Sequence, residues 1–108
     1  MSSMKTLIET FKALGNEHRL QILLWLNNPS AHFSVPTACD PQMRDEHWVC
    51  VGLIAQKSGL AQSVISSYLN TLKTANLVES QRAGKWTYYR ITPNWQQNLQ
   101  HKLNELFQ

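Results

Sequence analysis

Cysteine is scarce in this chain of 108 residues, with two thiols, at Cys39 and Cys50. A disulfide framework is therefore excluded as the main source of stability, and this usage is typical of a reducing compartment. No apolar run approaches the roughly 18 to 20 residues that a membrane span needs. The amphipathic start of the chain also lacks the layout of a secretory signal. We therefore expect a cytoplasmic protein with no membrane partner.

Charged residues are also few, and motifs typical of catalysis are missing. Charged residues make up 16% of the chain and hydrophobic residues 43%, a balance typical of a folded domain and not of a disordered segment. The length suits one small domain, residues 1–108. Paired carboxylates, a nucleophile beside a base and a glycine-rich phosphate loop are all missing, so we expect neither an enzyme nor a bound cofactor or metal.

The few charges are unevenly distributed. Residues 1–50 carry four basic and five acidic side chains, whereas residues 51–92 carry five basic side chains against Glu79 alone. A basic second half predicts an anionic partner that docks on one part of the domain.

Apolar periodicity predicts a mainly α protein with a small β-hairpin. We expect helices at 4–14, 17–26, about 49–58 and 62–75, strands at 77–82 and 86–91, and a last helix over about 95–107. Asn16 is the predicted N-cap of the second helix, and Thr92-Pro93 the predicted start of the last. Residues 28–48 hold three of the four prolines and are predicted to be a long loop. The four tryptophans are expected in the core and at interfaces.

The stretch 51–73 has the pattern of a helix-turn-helix. A short helix containing a small residue, Ala55, ends at Gly59, and a second helix follows at once. The outward side chains of that second helix, 62–75, are short or hydrogen-bonding, so its axis can approach the floor of the DNA major groove. The hairpin 79–91 follows as a basic wing. The predicted DNA-binding residues are Gln62, Ser63, Val64, Ser66, Ser67, Asn70, Lys73, Arg82 and Lys85, the last three toward phosphate or a neighbouring groove.

Another class of function fits the same elements, since a winged helix can dock a protein instead of duplex DNA. Binding to duplex DNA would be sensitive to salt and would weaken when Arg82 or Lys85 is neutralised, whereas protein docking need not be.

Three segments resemble the ArsR (arsenical-resistance) family of repressors: 11–23 (FKALGNEHRLQIL), 59–69 (GLAQSVISSYL) and 84–91 (GKWTYYRI). The resemblance spans residues 4 to about 92. It implies a dimeric winged helix-turn-helix that represses transcription by covering an operator of two-fold symmetry. In that family the first and last helices pair across the dimer, which assigns the apolar stripes of the end helices to the interface. The residues so assigned are Leu7, Phe11, Trp95, Leu99, Leu103 and Leu106.

The chain departs from the family pattern at several positions. Ala61 stands where the family usually has a capping serine. The family's Cys-x-Cys metal pair would fall on Cys50 and Gly52, so one ligand is missing. On the last helix, Asn94-Trp95-Gln96 replaces the Asp-x-His pattern, and only His101 and Glu105 remain. A metal- or thiol-responsive derepressor using Cys39, His47 and Cys50 remains an alternative.

Overall fold

A computed structural model of the protein describes residues 2–34 and 47–108. Within these two ranges, nine elements follow one another: α1 Ser2–Leu14, α2 Glu17–Asn27, α3 Pro29–His32, β1 Val49–Cys50, α4 Val51–Ser58, α5 Gln62–Thr74, β2 Val78–Ala83, β3 Trp86–Ile91 and α6 Trp95–Leu106. The predicted mainly α fold with a β-hairpin is confirmed. Within the described ranges, every helix falls short of the length and apolarity that a bilayer crossing demands.

The junction between α1 and α2 is fixed by one capping residue, Asn16, which makes two hydrogen bonds. The side-chain oxygen of Asn16 accepts hydrogen bonds from the backbone N–H groups of His18 (2.9 Å) and Arg19 (3.2 Å). These donors are two of the four that a helix start leaves without an internal partner. Asn16 is therefore the N-cap that the sequence predicts, and it fixes where α2 begins.

The main core lies where α2, α4 and α5 meet one face of the sheet. Its fully covered side chains include Ile22 of α2, Ile54 of α4 and Leu69 of α5. Val78, Tyr89 and Ile91 of the hairpin pack against the same cluster. The apolar faces that the helical spacing predicts thus converge on one centre, and the polar face of α5 is left on the outside.

The sheet has three antiparallel strands in the order β1-β3-β2, one more than predicted. β1 pairs Val49 with Tyr89 and Cys50 with Tyr88. Val49 and Cys50 are predicted at the start of a helix, which is wrong because their backbone groups join the free edge of β3. A two-residue strand has no periodicity by which it could be recognised.

The predicted loop at 28–48 is also only partly correct. Pro29–His32 form the short helix α3, with Pro29 at its first position, where the missing N–H costs nothing. Trp48 is buried, and the structure of residues 35–46 lies outside the described part of the chain.

The start of α6 differs from the prediction as well. The backbone N–H of Thr92 donates to the carbonyl of Leu77 at 3.0 Å, which extends the pairing beyond the hairpin strands. Asn94 occupies the capping position with φ of +62°, and the helix begins at Trp95. Thr92 is therefore not the N-cap, because its backbone is held by the neighbouring strand.

Candidate nucleic-acid interface

The turn between α4 and α5 has the tight geometry of a helix-turn-helix. Gly59 ends α4 with φ of +75°, and its N–H donates to the carbonyl of Ala55 at 3.0 Å. The Ser58 hydroxyl donates to that same carbonyl at 2.8 Å and accepts from the N–H of Leu60 at 3.1 Å. These bonds hold three residues, 59–61, between two helices, as the motif requires.

The inner face of α5 anchors it firmly. Ile65, Leu69 and Leu72 are each 0% exposed and belong to the main core. A helix held by three fully buried side chains presents its opposite face in a fixed orientation, which the recognition of a rigid groove needs.

The outer face of α5 is polar and accessible. At about 100° per residue, six side chains fall within an arc of about 140°. All six are exposed, and they are Gln62, Ser63, Ser66, Ser67, Asn70 and Lys73. Val64 is also exposed but lies about 60° beyond Ser67 on the same projection, at the edge of the face. The structure thus brings the predicted reading residues onto one surface, with Val64 at its border.

The wing is the hairpin β2–β3 with a two-residue turn, Gly84 and Lys85, between Ala83 and Trp86. Gly84 has φ of +63°, which suits the first central position of such a turn. Arg82 donates from Nε to the carbonyl of Gly84 at 3.4 Å, and both Arg82 and Lys85 are exposed. Both predicted wing cations therefore lie at the hairpin tip. Below them, burial raises the pKa of the Tyr89 phenol, so it stays neutral where the hairpin meets the core.

The two other basic side chains of residues 51–92 have structural contacts. Nε of Arg90 lies 2.9 Å from a carboxylate oxygen of Glu79, and its guanidinium is 4.4 Å from the centre of the Trp48 ring. Nζ of Lys57 lies 5.2 Å from the centre of the Trp25 ring. Lys73, Arg82 and Lys85 pair with no carboxylate in the described part of the chain. Three of the five basic side chains of residues 51–92 thus lie on α5 and at the tip of the wing without a carboxylate partner in the described ranges.

One contact that sequence reasoning missed holds α5 from behind. The guanidinium of Arg19 lies 5.6 Å from the centre of the Tyr68 ring, and the His18 ring stacks on Tyr68 at 5.9 Å. Arg19 also donates to the carbonyls of Ala13 (2.6 Å) and Lys12 (3.1 Å). Only the N-cap Asn16 was visible in the sequence, since the contact with Tyr68 spans some fifty residues and leaves no local pattern.

Of the three predicted sensor residues, the structure describes His47 and Cys50. Cys50 is buried in a small cluster with Trp48 and Tyr88, while His47 is exposed. Among residues 2–34 and 47–108 there is no group of three His, Cys, Asp or Glu side chains that could hold a metal. Cys39 lies outside those ranges, so the metal and thiol hypotheses stay predictions. On α6, His101 and Glu105 lie 3.7 Å apart and face each other.

One residue predicted for the dimer interface is buried within the single chain, and the others are half-buried or exposed. Leu7 is 1% exposed within a single chain and is inaccessible to a partner, so its assignment is corrected. Phe11 is 53% exposed, with Met4 and Ile8 beside it on α1. Trp95, Leu99 and Leu103 of α6 are half-buried, and Leu106 is exposed. The α1 stripe that the family resemblance assigns to the interface also contains the exposed residues Met4 and Ile8. The exposed Leu20 and Leu24 of α2 lie outside the predicted interface.

Three comparisons with known proteins bear on this arrangement. The chain is 46% identical over 83 residues to the uncharacterized HTH-type transcriptional regulator YbzH of Bacillus subtilis, covering 77% of this chain and 80% of that protein. It is 29% identical over 90 residues to the putative arsenical resistance operon repressor ArsR2 of Halobacterium salinarum, covering 83% of this chain and 62% of ArsR2. No family model matches the chain.

Among solved structures, the chain is similar to a homodimeric winged helix-turn-helix DNA-binding domain of Mycobacterium bovis, Mb0332, a possible ArsR-family regulator. The TM-score is 0.64 and the identity 27%, and the match covers 95% of this chain and 79% of that one. The short turn after α4, the anchored α5 and the hairpin that follows it define a winged helix-turn-helix protein. The chain belongs to the ArsR-like helix-turn-helix transcriptional regulators.

Proposed function

We propose that the protein is a homodimeric repressor that binds a palindromic operator in duplex DNA. Each copy places α5 in a major groove, where Gln62, Ser63, Ser66, Ser67 and Asn70 read base edges and Val64 meets a thymine methyl group. Lys73 and the wing cations Arg82 and Lys85 contact the phosphate backbone. The observation that carries this proposal is the exposed polar arc of α5, fixed from behind by three fully buried side chains.

The dimer in this proposal forms through α1 and α6. These helices pack against each other within one chain, and Ser3 of α1 donates to a carboxylate oxygen of Glu105 on α6 at 2.7 Å. Even so, the α1 residues Met4, Ile8 and Phe11 remain exposed, and no residue of α6 is fully buried. An apolar surface of this kind is typical of a protein interface. A second copy would cover it and set two α5 helices about one DNA turn apart.

Such a dimer represses transcription by binding DNA, without a catalytic step. The repression takes place in the cytoplasm, where the chromosome lies. The regulated genes would be shut off by the occupancy of the operator, so no cofactor is needed for the DNA contact itself.

The test begins with selection of an operator from random duplexes by the purified protein. Ser66→Ala and Asn70→Ala should each lose about 1 to 3 kcal/mol of discrimination between the selected site and its single-base variants. Lys85→Ala should weaken binding to all duplexes alike and reduce the slope of log affinity against log salt by about 1.

The matched control for these variants is Gln97→Ala, an exposed polar side chain on the opposite side of α6 from its apolar stripe. It should leave both affinity and discrimination unchanged. Unaltered discrimination in Ser66→Ala and Asn70→Ala together would remove α5 from the reading role. A binding affinity that does not depend on salt concentration would instead favour the docking of a protein on the winged helix.

A further inference from the structure

Trp86 is set apart from the other tryptophans by its exposure. Trp48 is buried, and Trp25 and Trp95 are half-buried, with the Trp95 N–H donating to the side chain of Asn27 at 3.4 Å. Trp86 is 39% exposed, and its N–H donates to no group in the described part of the chain. Trp86 is therefore not in the core of the single chain. Of the two locations predicted for the tryptophans, the core and an interface, the interface is left for Trp86.

The position of Trp86 in the hairpin explains this exposure. It is the first residue of β3, directly after the turn, and it lies on the same strand face as Tyr88 and Arg90. Tyr88 is fully buried there, but the cross-strand neighbour of Trp86 is Ala83, whose methyl group is too small to cover an indole. The ring therefore stands at the open end of the sheet face, at the tip of the wing.

The surroundings of the ring are cationic. Nζ of Lys85 lies 5.2 Å from the centre of the Trp86 ring, and Arg82 is anchored to the carbonyl of Gly84 in the same turn. The acidic residue of the hairpin, Glu79, is paired with Arg90 at the far end of the strands. An exposed indole beside the Lys85 ammonium, with Arg82 near the same turn but on the other face of the hairpin, suits an occupant that is both negatively charged and able to accept an apolar ring. A DNA groove has both properties.

We infer that Trp86 is a DNA-contact residue whose ring enters the minor groove beside the operator half-site, while Lys85 and Arg82 hold the flanking phosphates. This inference rests on the proposed function and adds a second reading element to it. A ring at the groove floor is sensitive to the guanine N2 amino group, the one feature that distinguishes G·C from A·T pairs in the minor groove. The wing thereby contributes sequence preference and not affinity alone.

The test compares duplexes that differ in the minor groove only. Inosine lacks the guanine amino group, so poly(dI·dC) and poly(dG·dC) present the same major-groove pattern to α5 but different minor-groove floors. The wild-type protein should bind poly(dI·dC) about five- to tenfold more tightly, and Trp86→Ala should bind both alike, with about a tenfold loss on poly(dI·dC). Trp86→Phe keeps a ring and should stay within about twofold of wild type on that duplex.

Fluorescence supplies an independent readout. Duplex DNA should change the tryptophan emission of the wild-type protein and of a control variant, Trp25→Phe, but the change should be lost in Trp86→Phe. The inference would be overturned if the wild-type protein bound poly(dI·dC) and poly(dG·dC) with equal affinity and if every Trp86 variant matched the wild type in affinity and in emission change. The proposed function would still stand in that case. A Trp86→Ala protein with an altered oligomeric state would also overturn it, since the ring would then contact a second copy. Failure of the wild type to bind any duplex would overturn both.

Discussion

The left-handed backbone of Gly59 is the residue-scale feature on which the helix-turn-helix turn depends. With φ of +75°, a side chain there is strained, yet an added Cβ would meet no atom within 4 Å. Gly59→Ala therefore isolates the backbone cost, and we expect it to lower the free energy of unfolding by about 1 to 2 kcal/mol. Urea unfolding at fixed protein concentration measures this.

A matched control, Gly52, lies about two helix turns earlier. Gly52 is inside α4, and an added Cβ would approach only the Sγ of Cys50, at 3.9 Å, an ordinary contact. Gly52→Ala should raise the free energy of unfolding by about 0.5 to 1 kcal/mol, because alanine loses less freedom in a helix. If the two substitutions shift stability in the same direction, the backbone conformation of Gly59 is not what holds the turn.

Ala61 is a second residue-scale feature, because it occupies the N-cap of α5 without an acceptor. Its backbone is extended, with φ of −61° and ψ of 145°, and no side-chain bond caps the helix. Ala61→Ser supplies the missing oxygen and should stabilise the protein by about 1 kcal/mol. Ala61→Val has no acceptor and should give no such gain. Equal unfolding midpoints for the serine and valine variants would contradict the capping argument.

At the scale of elements, Arg19 links the helix proposed for dimerisation to the helix proposed for reading DNA. Its planar fork donates to two carbonyls at the end of α1 while its face lies over Tyr68 of α5. Charged hydrogen bonds of this kind and a cation over an aromatic ring each stabilise a fold. Arg19→Ala should therefore lower the free energy of unfolding by about 2 kcal/mol.

Arg19→Lys separates charge from geometry in this link. Lysine keeps the positive charge but lacks the fork, so it should recover less than half of the lost stability. A lysine variant as stable as the wild type would show that charge alone matters and that the bidentate contact with α1 does not. Urea unfolding followed by circular dichroism would compare the three proteins.

The elements also show why sequence reasoning found some features and missed others. α5 has thirteen residues with buried positions at helical spacing, so its bounds and its exposed face followed from periodicity. β1 has two residues and is defined by its partners Tyr88 and Tyr89, which are distant in sequence. Thr92 has the residue type of an N-cap, but its N–H donates a hydrogen bond to the carbonyl of Leu77. Local patterns predict long elements, whereas pairing with distant segments decides the short ones and the boundaries.

At the scale of the whole molecule, the same limit applies to the surface proposed for the dimer. Leu7 and Phe11 belong to one apolar stripe of α1, and nothing in the sequence distinguishes them. The chain's own packing covers Leu7 completely and leaves Phe11 about half exposed. The packing of α1 against α2, α5 and α6 divides the stripe into a part that stabilises the single chain and a part that is free for a partner.

Phe11→Glu tests that division and the dimer together. A carboxylate in the free part of the stripe would have to be desolvated on association, so we expect the dimer dissociation constant to rise by at least about tenfold. The fold of the single chain should persist, because Phe11 is not part of the core. Sedimentation at several concentrations measures the first effect and circular dichroism the second.

The same variant predicts a change in DNA binding. A palindromic operator engages two α5 helices only when they are joined, so separated copies lose the gain in effective concentration that joint binding provides. Operator affinity should then fall much more than the affinity for a single half-site. Gln97→Glu, which adds the same charge on the exposed face of α6, should change neither quantity. A Phe11→Glu protein that remains a dimer and retains operator binding would place the interface elsewhere, with the exposed Leu20 and Leu24 of α2 as the next surface to substitute.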